Sequence, residues 1–297
     1  MEFGDGTLKK YFLKVGKTSV LPLNHRRLRN ILLFQRDQTN QGREQLAIGE
    51  HGRQVLLGEF TSITLLDNLI PGLVPKPLSW GKYGTAVPET YFFIEEFKDM
   101  NMDLPDPSQL ALQTAQLHAN LSPNGMFGFE VTTFAGEVPH AQGWESNWTV
   151  FFTKLLKLCL KADEKTNGYW HELKLASDQI LSTVIPRLLD PLQQGVDPIK
   201  PVLIHGDLWS GNIGTDEETG KLVFFDCGSF YSHAELELGM WRCDGAQNLG
   251  LRYLREYQQL VGPSEPKAEF DDRNRLYCMK FYLTHSAINP GDIARHT

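Results

Sequence analysis

Asp207, Asn212 and Asp226 are the residues whose types and spacing point most directly to chemistry. Asn212 follows Asp207 by five residues, and Asp226 follows it by nineteen. Asp207 and Asn212 stand in H-G-D-L-W-S-G-N (205–212), and Asp226 opens D-C-G (226–228). Phosphoryl transfer needs three such groups. One carboxylate orients the attacking hydroxyl and accepts its proton. An amide oxygen and a second carboxylate hold Mg²⁺ on the phosphates of ATP. The kinase pattern H-x-D-x-x-x-x-N, followed by D-x-G, supplies them in this order. On this reading Asp207 is the base, and Asn212 and Asp226 are the Mg²⁺ ligands. A polar loop between buried strands, with both aspartates as turn formers, does not explain why both turns carry the right residues.

The elements that must position these groups are short. The apolar runs 202–204 and 222–225 read as β-strands, with turn chemistry at 215–220 between them. Asp207 and Asn212 then lie on a loop, and Asp226 just after a strand. Upstream, Asp5-Gly6 signals a hairpin turn and 11–15 the returning strand. P-G-L-V-P-K-P (71–77) cannot be helical, and strands are expected near 78–83 and 90–95. Helices are expected over 110–121, 148–162, 177–189, 234–242, 249–260 and 271–286. In the second of these, Phe152, Leu155, Leu156 and Cys159 share one face.

The octapeptide resembles the fructosamine-3-kinase (ketosamine-3-kinase) family, whose loop reads H-G-D-L-W-x-G-N. F-Y-S-H-A-E-L-E-L-G-M-W-R (230–242), G-M-F-G-F (125–129) and V-P-H-A-Q-G-W-E-S-N-W-T-V-F-F (138–152) resemble it too. The last is closest to the fungal protein-ribulosamine 3-kinases. The resemblance implies an α+β, protein-kinase-like fold. A small, sheet-rich N-terminal lobe spans 1–95, and a helical catalytic lobe spans 96–297. It implies ATP-dependent phosphorylation of the 3-hydroxyl of ribulosamine or fructosamine, on glycated protein lysines or small ketosamines, leading to deglycation. Lys14, in Y-F-L-K-V, is then the phosphate-binding lysine, and Glu59, in a helix over 58–66, its partner. Glu96, Phe97 and Lys98 align with the hinge that reads adenine.

The same resemblance exposes two irregularities. Gly6 lies eight residues before Lys14, too close for Gly4-Asp5-Gly6 to be a nucleotide loop. The N-terminal lobe therefore reads as shortened, without its first strand and glycine-rich loop. Lys14 and Glu59 are 45 residues apart, and 16–48 shows no persistent period, so it reads as an inserted surface segment.

Composition sets outer bounds. A hydrophobic share of 41%, a charged share of 22% and a net charge of −7 describe a globular chain with no nucleic-acid or membrane footprint. The four cysteines lack metal-ligand spacing, and no signal peptide precedes them, so a reducing, cytoplasmic setting is expected. Of the remaining candidates, Trp209 could stack on a sugar face or pack beneath the loop. His233, Glu235 and Glu237 could orient substrate or anchor the loop, and Trp144 and Trp148 could be ligand stack or core. His205 reads as a structural donor to backbone, and His118 as a packed or capping residue. Cys227 could be oxidisable. Two other readings stay open: a small-molecule kinase of the aminoglycoside or choline type, and a non-catalytic relative.

Overall fold

In Y-F-F-I-E-E (Tyr91–Glu96) residues 91, 93 and 95 are buried and their neighbours half-buried, as a strand packed mainly on one face requires. This strand is the middle of a three-stranded antiparallel sheet in the computed structural model. The model describes residues 49–84, 87–140, 143–194, 197–243 and 249–291 in full and 11–15 by backbone. The Asp5-Gly6 turn and the 16–48 segment expected from the sequence lie outside the described residues. The sheet runs β1 (Tyr11–Val15), β3 (Tyr91–Glu96), β2 (Pro77–Lys82) in spatial order, with Lys14 opposite Phe93. Helix α1 (Gly49–Leu69) buries Leu56, Glu59, Ile63 and Leu66, which recur three and four residues apart. Phe60 of α1 meets Phe93 edge-on at 5.6 Å between ring centroids.

A mainly helical part of the chain follows β3. It begins with β4 (Met100–Asn101) and α2 (Pro107–His118). Asp106 caps α2 by accepting from the Ser108 and Gln109 N–H groups, and Pro107 occupies the first turn. Then come β5 (Phe127–Phe129), β6 (Phe134–Ala135), β7 (Val138–Pro139), β8 (Gly143–Glu145) and α3 (Trp148–Asn167). Asn147 caps α3 through Val150 N–H, and Phe152, Leu155, Leu156 and Cys159 are all buried as their spacing requires. α4 (His171–Gln179) runs through a π-helical turn at Ile180–Val184 into α5 (Ile185–Leu189). The last elements are β9 (Val202–Ile204), β10 (Ile213–Asp216), β11 (Leu222–Phe224), β12 (Phe230–Ser232), α6 (Glu235–Arg242), α7 (Leu251–Val261) and α8 (Phe270–Ile288).

The two strands expected to flank the reactive loop do not pair with each other. β9 pairs with β12, with Ile204 opposite Phe230. β11 pairs with β10, with Ile213 opposite Phe224. The first pairing sets the 205–212 loop beside the 225–229 turn. The second brings Asn212 to Phe225, whose N–H donates to the Asn212 carbonyl at 3.1 Å. Two antiparallel registers therefore converge Asp207, Asn212 and Asp226, although nineteen residues separate the first from the last.

Candidate active site

A cavity of about 160 Å³ is lined by Val55, Glu59, Phe134, Gly136, Asp207, Trp209, Asn212, Asp226 and Cys227. It gathers the three expected catalytic residues with Glu59 of α1 and Trp209. Its volume suits a phosphoryl group, a cation or part of a sugar ring. It falls short of the 300 Å³ or more typical of ligand pockets, so most of a nucleotide would lie outside it.

The loop backbone is held from three sides. His205 is fully buried, and its Nε2–H donates to the Phe225 carbonyl at 3.0 Å. That donation leaves Nδ1 to accept from the Asp207 N–H at 3.2 Å. Burial holds this imidazole below its ordinary pKa, consistent with the neutral tautomer. Beneath the loop, the buried Glu237 carboxylate accepts from the His205 N–H and, at 3.1 Å, from the Gly206 N–H. One turn further along α6, the Trp241 Nε1–H donates to the Leu208 carbonyl at 3.0 Å. Glu237 and Trp241 are four residues apart, hence on one face of the helix. Burial pushes the Glu237 carboxyl up, but His118, His205 and the backbone donor outweigh it and hold the group below its ordinary value.

Asp207 is half-buried, and Asn212 Nδ2 donates to both its backbone carbonyl (2.9 Å) and its Oδ2 (3.2 Å). Its carboxyl is raised to about 6, first by burial, then by the neighbouring charges of Asp226 and Glu237, against the opposing field of Lys280. Asp226 is exposed, and its φ of 55° is the only left-handed value at a non-glycine residue among those described. Such backbone strain persists where the surroundings over-determine it, characteristically at functional sites.

The donor set fits Mg²⁺. Asn212 spends its N–H groups on Asp207, which leaves its amide oxygen, and Asp226 adds a carboxylate. No group of three His, Cys, Asp or Glu able to hold a metal occurs among the described residues. Mg²⁺ does not need one, because it takes one or two protein oxygens and fills its shell with phosphate and water.

Glycines shape the rest of the loop. A Cβ on Gly211 would lie 2.2 Å from the Trp209 ring, so the indole lies across this residue because it has no side chain. A Cβ on Gly206 would meet the Gly228 carbonyl oxygen at 2.3 Å, so the two turns touch backbone to backbone.

Other expected residues fall elsewhere. His233 and Glu235, which the sequence left open between orienting substrate and anchoring, are not among the residues that line the cavity. His233 bonds the Tyr277 hydroxyl and Ser264 Oγ, each at 2.9 Å. Glu235 receives Arg273 in a buried bidentate pair at 2.7 and 3.0 Å. These bonds tie the start of α6 to α8 and to Ser264, the anchoring reading of the two that the sequence left open. Trp148 is core, while half-buried Trp144 stacks on Tyr231 at 6.1 Å. Cys227 is buried, and its thiol is pushed well up by that burial and by nearby carboxylates, so it is not a poised thiolate. In the 96–98 segment expected to read adenine, the Glu96 N–H donates to the Lys76 carbonyl, and the Lys98 ammonium pairs with Asp216 at 3.2 Å and Glu96 at 3.4 Å. Lys14 lies on β1, and its side chain is outside the described residues. Sequence reasoning missed Ser62, whose Oγ accepts from the Ser229 N–H at 3.1 Å, and the pair His140 and Lys280. Only the E-x-x-x-W spacing of Glu237 and Trp241 could have signalled the buttress from α6.

Known proteins share this architecture. The chain is 32% identical over 219 residues to a chloroplastic protein-ribulosamine 3-kinase of Arabidopsis thaliana, covering 71% of this chain and 60% of that protein. It is 28% identical over 273 residues to the ketosamine-3-kinase of Mus musculus, covering 83% of each. The chain thus spans about three fifths of the length of the Arabidopsis relative. A crystal structure assigned to a fructosamine-3-kinase of Haemophilus somnus 129PT superposes with a TM-score of 0.63 at 17% identity, over 84% of this chain and 78% of that one. This likeness shows the protein-kinase-like fold expected from the sequence. Among the described residues, no helix is long and apolar enough to cross a membrane. The family model described as fructosamine kinase matches residues 48–296, and the chain belongs to that family.

Proposed function

We propose that this chain is a ketosamine kinase, transferring the γ-phosphoryl group of ATP to the 3-hydroxyl of a ribulosamine or fructosamine. The acceptor is a sugar joined by glycation to a protein lysine, or a small free ketosamine. The 3-phosphate makes the adduct unstable, so the outcome is deglycation. One observation carries the reading: Asp207, Asn212, Asp226 and Trp209 line a single cavity.

Asp207 orients the acceptor hydroxyl and takes its proton as the oxygen attacks phosphorus. A carboxyl raised to about 6 is mostly ionised at neutral pH, yet more basic than an ordinary aspartate. Asn212 and Asp226 would hold Mg²⁺, which would supply positive charge to offset that of the phosphates. His205 and Glu237 keep the loop from shifting. Trp209 offers an apolar face to a sugar ring. Glu59 would partner Lys14 on the phosphates, and the segment through Phe97 and Lys98 would read the adenine. These contributions are positioning and electrostatics, which dominate phosphoryl transfer.

The test is an acceptor panel with ATP and Mg²⁺, comparing a ribulosamine, a fructosamine, an aminoglycoside and choline by ADP release. Turnover confined to the ketosamines is expected. Turnover confined to the aminoglycoside or to choline would overturn the substrate assignment.

A further inference from the structure

Lys280 is fully buried on α8, and no carboxylate among the described residues lies within ion-pair distance of its ammonium. Its Nζ lies 3.0 Å from His140 Nε2 and 4.1 Å from the centre of the Phe281 ring. His140 is also buried, and its Nδ1 lies 3.1 Å from the Gly228 carbonyl oxygen. A carbonyl can only accept, so Nδ1 carries the proton and Nε2 accepts from Lys280. The chain of donors therefore runs from Lys280 through His140 to Gly228. It ends two residues from Asp226, on the carbonyl that touches Gly206 of the base-bearing loop.

An unpaired buried ammonium costs several kcal/mol, and packing alone gives no reason to retain one. The turn it reaches does give one. Asp226 holds a left-handed backbone that needs restraint on both sides. On its N-terminal side, Phe225 is fixed by Asn212 and His205. On its C-terminal side, Ser62 takes the Ser229 N–H and His140 takes the Gly228 carbonyl. A Cβ at Gly228 would come within 2.4 Å of the Phe134 carbonyl and 3.0 Å of His140 Nδ1, so the imidazole is seated directly on this turn.

We propose that Lys280 and His140 are positioning residues that orient the Asp226 carboxylate for its cation through the Gly228 carbonyl. Lys280 fixes the imidazole tautomer, and His140 fixes the turn. The proposal rests on the kinase reading of the site, because it presumes that Asp226 meets Mg²⁺. Partners of metal ligands of this kind commonly change metal affinity 10- to 100-fold when removed.

The experiment is calorimetric ADP binding with and without Mg²⁺, on wild type, Lys280→Met, His140→Phe and His140→Gln. Mg²⁺ is expected to strengthen ADP binding to the wild type. That gain should shrink about tenfold or more in Lys280→Met and His140→Phe, while Mg²⁺-free ADP binding stays unchanged. His140→Gln, whose amide can still donate to Gly228, should keep most of the gain. Lys280→Met should melt no lower than wild type, since an apolar chain replaces a buried ammonium, so a lost gain cannot be ascribed to unfolding. A wild-type gain that persists in Lys280→Met and His140→Phe would overturn the proposal and leave the kinase reading standing. No Mg²⁺ gain in the wild type would overturn both. Hydrogen exchange of residues 225–229 in the ligand-free variants is the second measurement. Faster exchange there, with α8 unchanged, supports the proposal, and exchange equal to wild type overturns it.

Discussion

His205 donates from Nε2 to the Phe225 carbonyl at 3.0 Å and accepts at Nδ1 from the Asp207 N–H at 3.2 Å, so one imidazole spans the segments that carry Asp207 and Asp226, the two carboxylates proposed for catalysis. Neither aspartate can shift without disturbing a bond to this ring. The proposed base and the proposed metal carboxylate therefore move as one unit.

Asp207→Asn should lower turnover by about 10²–10⁴-fold, the range of general-base contributions, and should also stabilise the protein at neutral pH. The folded carboxyl sits near 6, above its ordinary 3.8. The folded state thus binds more protons than the unfolded state between these values, and stability falls as pH rises through that window. Removing the ionised group recovers up to about 3 kcal/mol, less for a half-buried side chain. Melting curves at pH 4 and pH 7 check this. The gain should be present at pH 7 and shrink towards pH 4, and a loss of stability at pH 7 would contradict it.

The same carboxyl sets the acid limb of the rate profile. Asp207 works ionised, so kcat/KM for the acceptor should fall as pH drops below about 6. A cation bound beside Asp226 favours the ionised form, so the corresponding limb in kcat should move to lower pH. A flat profile from pH 5 to 8 would remove Asp207 from the role of base.

Asp226→Gly and Asp226→Ala should separate backbone strain from metal binding. Glycine adopts a φ of 55° without cost, so Asp226→Gly should be the more stable variant, by roughly 1–2 kcal/mol. Both should lose more Mg²⁺-dependent nucleotide affinity than Asn212→Ala, because a full charge is lost rather than a dipole. Equal affinity losses at 212 and 226 would speak against the assigned roles.

Gly211→Ala should displace the Trp209 indole, since the added Cβ falls 2.2 Å from the ring. If that ring stacks on the acceptor sugar, KM for the acceptor should rise, and misplacement by an ångström can cost up to about 10²-fold. Tryptophan fluorescence should report the ring movement independently. A moved ring with an unchanged KM would assign Trp209 to packing alone.

The convergence of Asp207, Asn212 and Asp226 on one cavity was legible in the sequence because the residue types and their spacing recur together there. The major helices were legible because their apolar stripes have a period near 3.6, as at Phe152, Leu155, Leu156 and Cys159 in α3. The start of α2 was missed although Asp106 and Pro107 announce it. The pairing of β9 with β12 was not legible, because strands of three residues carry no register information of their own. For His233 and Glu235 the sequence left substrate orientation and anchoring open, because their partners, Tyr277 and Arg273, come from α8, far along the chain. His140 and Lys280 are 140 residues apart, and no local pattern connects them.

The most direct test of the account is the position of the phosphate. A small ribulosamine, incubated with the chain, ATP and Mg²⁺, should yield a product whose phosphorus couples to the hydrogen on carbon 3 of the sugar in ³¹P–¹H spectra, and Asp207→Asn should yield none on the same timescale. Phosphate on another hydroxyl, or equal product from Asp207→Asn, would contradict the central claim.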